Sequence, residues 1–130
     1  MAPMAHAQGT FEVDLRPVDA PSPAIGQMTI DKQFAGALQG RSRGCMLAYR
    51  TDTEGSAAYV ALETVEGTLD GVAGTFVLQH AGTMDRGEQA LVVSVVPDSG
   101  TGGLRGLRGR MNILIEDGAH KYTFEYTLPG

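Results

Sequence analysis

A chain of 130 residues fits one domain and is long enough to bury a core without disulfides or structural metals. With 42% apolar and 19% charged residues it is neither a disordered segment nor a coiled coil. A formal charge of −5, with acids and bases interspersed, leaves no basic stripe for a phosphate backbone, so no nucleic acid is expected as a partner.

Residues 1–9 lack the basic start and apolar run of a secretory signal and read as a flexible tail before a single domain at 10–130. No apolar stretch approaches membrane-spanning length, so no membrane partner is expected. Cys45 is the single cysteine, which rules out an intramolecular disulfide and makes the cytoplasm the default location. Its place in the run Cys45-Met46-Leu47-Ala48-Tyr49 predicts an inert buried thiol.

Period-2 segments separated by glycine, proline and aspartate predict eight strands, near 10–16, 27–38, 41–51, 56–69, 72–83, 89–96, 106–116 and 119–127. The first sets Phe11, Val13 and Leu15 against Glu12, Asp14 and Arg16. Pro17, Pro21 and Pro23 then mark the longest irregular connection. Asp70-Gly71 is a type I′ hairpin signal, since both central residues of that turn need positive φ. A two-residue turn there opposes Leu69 to Val72, Val65 to Phe76, Glu63 to Leu78 and Ala61 to His80, which puts Tyr59, Glu63 and His80 on one face.

The run Ser99-Gly100-Thr101-Gly102-Gly103-Leu104-Arg105-Gly106 fails as a phosphate loop. Arg105 stands where the dinucleotide fingerprint needs glycine, and no Gly-Lys-Ser/Thr follows. A turn followed by a glycine-bulged strand is expected instead. Asp117-Gly118 repeats the hairpin signal and pairs Glu116 with Ala119, Ile115 with His120, Ile113 with Tyr122 and Met111 with Phe124. One face then carries Met111, Ile113, Tyr122 and Phe124.

Short connections between consecutive strands predict an all-β, eight-stranded antiparallel barrel, with a two-sheet sandwich as the competitor. At this strand number the interior is either filled or holds one small ligand. His6, His80 and His120 belong to no short metal-ligand motif, so no metal and no cofactor are expected. No Ser-His-Asp order or nucleophile elbow appears. Glu63 turned inward would need His80 or Tyr59 to satisfy it, and would then be a proton-transfer group. Turned outward, it is an ordinary surface carboxylate.

An ordered set of motifs runs through the chain: Tyr59-Val60-Ala61-Leu62-Glu63, Gly67-Thr68-Leu69-Asp70-Gly71, Gly74-Thr75-Phe76-Val77-Leu78-Gln79-His80 and Val96-Pro97-Asp98-Ser99-Gly100. Together they resemble a family of small bacterial proteins of unknown function with an allene oxide cyclase-like barrel. The resemblance implies an eight-stranded barrel, and by analogy of fold a cofactor-independent cyclase or isomerase acting on an apolar small molecule. A carrier of such a molecule is the alternative, and a structural protein with a filled lumen is a third. Tyr59, Glu63, Phe76, Gln79 and His80 carry over as pocket candidates, although Gln79 and His80 cannot both face the lumen of a regular strand. Thr64 departs from the pattern, which often has a basic residue there.

Glu63, His80 and Tyr59 are thus the expected catalytic group. Phe76, Leu78, Gln79, Tyr122, Phe124 and the turn-flanking His120 are expected to bind substrate. Outward apolar residues such as Val60, Leu62 and Val77 predict association into a homo-oligomer.

Overall fold

In the computed structural model, which describes residues 4–20 and 22–129, the alternating segments form β1 (Ala5–Val18), β2 (Gly26–Gly36), β3 (Leu38–Arg50), β4 (Ala57–Leu69), β5 (Val72–Asp85), β6 (Glu88–Val95), β7 (Arg108–Glu116) and β8 (Ala119–Thr127). Each strand pairs antiparallel with the next, and β8 returns to β1, so the sheet closes into an eight-stranded barrel. Closure leaves free strand edge where β6 and β7 part beyond Val93 and Met111 and along β1 beyond Phe11. None of the described residues forms a helix long and apolar enough to cross a membrane.

Both Asp-Gly turns take the expected register. Leu69 lies opposite Val72 and Ala61 opposite His80; Glu116 lies opposite Ala119 and Met111 opposite Phe124. Asp70, Gly71, Asp117 and Gly118 all have positive φ, as a type I′ turn requires. A third such turn, Arg86-Gly87, carries β5 past the expected end at 83 and starts β6 at Glu88. Arginine is a poor marker for positive φ. Here the turn is held by the Arg86 N–H donating to Ser56 Oγ at 3.1 Å and the Gly87 N–H donating to the Gly55 carbonyl at 3.0 Å.

The N-terminal boundary is corrected by pairing. Residues 5–9, expected in a flexible tail, extend β1, and β8 runs alongside them from Tyr126 to Tyr122. Ala7 is buried there, which ties this segment to the core. Pro17 is in β1 opposite Met28, beyond Phe11, where β1 pairs with β2 alone and a missing N–H on the other edge breaks no ladder bond. The irregular connection therefore starts only after Val18; of its expected prolines, Pro21 lies outside the described residues. Cys45 is exposed, contrary to the expected burial. Alternation decides this: Ser42, Gly44, Met46 and Ala48 take the inner face of β3, leaving Cys45 outside with Leu47.

The two ends of the barrel differ. One is filled by Leu38, Val65, Leu69, Phe76, Leu78 and Phe124, with Phe76 and Phe124 stacked at 6.0 Å between centroids. The glycine-rich connection 96–107 closes this end. It contains a short 3-10 turn, Gly102–Leu104, and inserts the fully buried Leu104 and Leu107. Tyr122 adds a polar tie, its hydroxyl accepting from the Leu38 N–H at 2.9 Å and donating to the Ala35 carbonyl at 3.0 Å. At the other end β6 and β7 pair only through Val93–Met111 and Ser94–Arg110, so the wall splays and the lumen opens.

Candidate functional site

The open end holds a cavity of about 610 Å³, within the range that takes a drug-sized ligand. Met46, Ala48, Tyr59, Gly82, Met84 and Leu91 supply most of its apolar wall, and Arg50 stands at its rim. Every second residue of β4 and β5 points inward, so the Asp70-Gly71 register delivers Tyr59, Glu63 and His80 to the same interior. Only Tyr59 of these reaches the cavity wall; His80 and Glu63 lie behind it.

From the cavity inward the polar groups form a line. The Tyr59 hydroxyl is 3.5 Å from His80 Nδ1, His80 Nε2 is 3.4 Å from Glu63 Oε1, and Lys32 Nζ is 3.2 Å from the same oxygen and 3.1 Å from Oε2. Lys32, Glu63 and His80 are all within the buried core. A carboxylate only accepts, so Nε2 carries the proton facing Glu63, and Nδ1 is left to accept from the Tyr59 hydroxyl. At 3.4 Å the contact is close without a formed hydrogen bond, and Nε2 and Oε2 keep unfilled hydrogen-bonding capacity, as does buried Ser42 Oγ opposite Lys32.

Burial pushes the Glu63 carboxyl toward a higher pKa, but the interaction with His80 and the Lys32 charge outweigh it, and the group titrates below its ordinary value. Glu63 is therefore an anion near neutral pH. Burial, with the Glu63 charge behind it, raises the Tyr59 phenol, which stays protonated and acts as a donor. Two glycines make room for this line. A Cβ on Gly82 would stand 2.7 Å from Tyr59 Cε1, and one on Gly44, directly opposite Glu63, would stand 2.6 Å from the Glu63 Cα.

A family described as "Protein of unknown function (DUF3224)" matches residues 7–126. The chain belongs to this family. A crystal structure of a protein with unknown function from the DUF3224 family of Shewanella oneidensis MR-1 is similar throughout, with 45% identity and a TM-score of 0.93, covering 98% of this chain and 100% of that one. No curated protein matches the chain.

In this DUF3224 barrel the expected catalytic group, Tyr59, Glu63 and His80, is brought together, whereas the expected substrate-binding residues are dispersed. Gln79 is exposed on the outer face, because His80 takes the inner one. Phe76, Leu78, Tyr122 and Phe124 are buried at the filled end, and none of them lines the open-end cavity. His120 is half-buried and packs tilted on Phe11 at 5.1 Å between centroids, outside the wall of the open-end cavity. Lys32 was not anticipated. Its signal was its inward alternation between Ile30 and Phe34, and its ammonium group lies 4.7 Å from the Phe11 ring centroid as well as beside Glu63. Among the described residues no group of three His, Cys, Asp or Glu side chains gathers as a metal cage, and in the polar line the Lys32 ammonium takes the place next to Glu63 that a cation would need.

Proposed function

We propose that the barrel is a cofactor-independent isomerase or cyclase that holds an apolar small molecule in the open-end cavity and moves a proton through Tyr59, His80 and Glu63. The observation that carries this reading is the position of Tyr59, which lines the cavity and meets His80 Nδ1 at 3.5 Å. His80 Nδ1 can take the Tyr59 proton as the phenol oxygen removes one from the bound molecule, with Glu63 stabilising the imidazolium that forms, and the same proton then returns through Tyr59 to a different atom of that molecule. Isomerisation and ring closure exchange no atoms or electrons with a second reactant, so this proton movement balances on its own. The apolar wall would do the rest by restricting a flexible chain to a reactive conformation. The sequence resemblance to allene oxide cyclase-like barrels supports the same reaction class by analogy of fold.

The same cavity without turnover would be a carrier, and one experiment separates the two. Ligands retained by the purified protein are identified by mass spectrometry, then incubated with native protein, Tyr59→Phe and His80→Ala in deuterated water. Isomerised product or deuterium in the ligand, lost in both variants while binding persists, is the expected result. Binding with neither change in the native protein makes the barrel a carrier.

A further inference from the structure

The outer wall over β3, β4 and β5 lacks charge where the rest of the surface has it. Reading across the ladder, one row runs Gln27, Leu47, Val60, Ala81, Val92, and the next runs Thr29, Cys45, Leu62, Gln79, Ser94. A third row, Tyr49, Ala58, Thr83 and Ala90, continues it toward the open end. None of these fourteen positions is ionisable at neutral pH except the weakly acidic Cys45. Val60 and Leu62 are 53% and 56% exposed, and Leu47, Tyr49 and Val92 are also exposed. Charged neighbours border it, with Arg16 opposite Thr29 and Arg110 opposite Ser94 at its two sides, and Asp31 opposite Arg43 in the row beyond.

We infer that this face is where a second copy of the chain docks. With strands about 4.8 Å apart and residues of one face about 6.8 Å apart, the patch covers a footprint of about 500 Å². Two such faces together bury at most about 1,000 Å², since the convex wall keeps their margins apart, which makes the contact a weak one. A chain with a net charge of −5 repels its own copies everywhere except where charge is missing, and the missing charge is here. A heterologous partner selected by this protein's acidity would instead meet its carboxylates. The wall is convex, so contact centres on β3, β4 and β5, where a shallow groove of about 360 Å³ lies between Cys45, Leu47, Val60, Leu62 and Gln79. A two-fold axis through this groove lets the protruding Val60 and Leu62 of each copy enter the groove of the other, which is the self-complementarity that an isologous dimer needs. Val77, expected in this patch, is only half-buried surface, since Ser99 of the 96–107 connection lies against its backbone.

Cys45 makes the test direct, because it is exposed in the single chain and central in the contact. Sedimentation velocity is run from about 1 to about 300 µM, the range expected of a contact this small, on freshly reduced and desalted protein. Cys45 reactivity toward a disulfide reagent is followed at the same concentrations. The expected result is a reversible dimer whose formation slows Cys45 labelling at least about tenfold, with Leu62→Glu and Val60→Lys both monomeric and labelling at one rate throughout. Circular dichroism of the two variants checks that the barrel is intact, as substitutions at outward positions leave it. A native protein that stays monomeric overturns the inference. So does a dimer that persists in both variants with Cys45 fully reactive, since association then uses another face.

Discussion

His80 Nε2 stands 3.4 Å from Glu63 Oε1, with both side chains sealed from solvent and Lys32 closing the far side of the carboxylate. A buried carboxylate is tolerated only when its charge is met, and here one cation and one ring N–H meet it from two neighbouring directions. The arrangement sets the His80 tautomer and hence the direction in which a proton first moves, from the Tyr59 hydroxyl to Nδ1.

Lys32 and Glu63 should be coupled in stability. Lys32→Met leaves Glu63 buried without its cation and is expected to cost about 3–5 kcal/mol, as does removal of one partner of a buried pair in general. Adding Glu63→Gln to Lys32→Met should return much of that loss. A double-mutant cycle by urea unfolding measures it. Additive losses would mean that the two charges do not depend on one another.

Acid should reveal the same carboxylate. The folded pKa of Glu63 lies below its ordinary value of 4.5, so between the two the unfolded chain binds the extra proton. Stability from this group is therefore complete above about pH 4.5 and is lost as the pH falls through the depressed folded value. Unfolding free energies measured between about pH 6 and pH 3 should fall less steeply in Glu63→Gln than in the native protein. Parallel profiles would remove Glu63 from the acid response.

Much of this site is legible from one dipeptide. Asp70-Gly71 fixes the hairpin register, and alternation then places Tyr59, Glu63 and His80 inside together and sends Gln79 out. What alternation cannot weigh is how far the lumen is filled. Phe76, Leu78, Tyr122 and Phe124 face inward as expected, yet the 96–107 connection plugs their end with Leu104 and Leu107, and nothing local to those strands announces a plug from elsewhere in the chain. Lysine is ordinarily a surface residue, so alternation alone does not mark Lys32 as part of a buried site. Only the later knowledge that Glu63 is buried creates the demand for it. Cys45 shows the reverse error: the burial habit of a free thiol yields to the strand's own alternation, which gives Met46 and Ala48 the inner face.

The plugged end carries a second perturbed group, Tyr126. Burial and then a hydrogen bond to Asp70 push the Tyr126 phenol up to about 12, from an ordinary 10.0. Its folded pKa being the higher one, the stability it contributes is complete below about pH 10 and is lost as the pH rises toward 12. Ultraviolet titration of phenolate should show the latest-ionising tyrosine of the native protein, near pH 12, ionising earlier in Asp70→Asn. An unchanged late transition would leave burial as the whole cause.

Gly82→Ala should displace Tyr59 without altering its chemistry. The glycine lies directly opposite Tyr59, and an added Cβ would stand 2.7 Å from Tyr59 Cε1, so the ring must tilt or the strand must shift. Overpacking of this kind costs about 1–3 kcal/mol, and alanine's better fit to an extended strand offsets about 0.5–1 kcal/mol of it, so the variant should fold. Tilting the ring away breaks the 3.5 Å approach of its hydroxyl to His80 Nδ1. The His80 ring signals in a nuclear magnetic resonance spectrum should then shift in Gly82→Ala toward their positions in Tyr59→Phe, and proton transfer to a bound ligand should fall in both. The two variants differ in one respect, since Gly82→Ala keeps the hydroxyl. If His80 signals in Gly82→Ala match the native protein while those of Tyr59→Phe move, the ring absorbs the methyl group in place and Gly82 is not what positions the phenol.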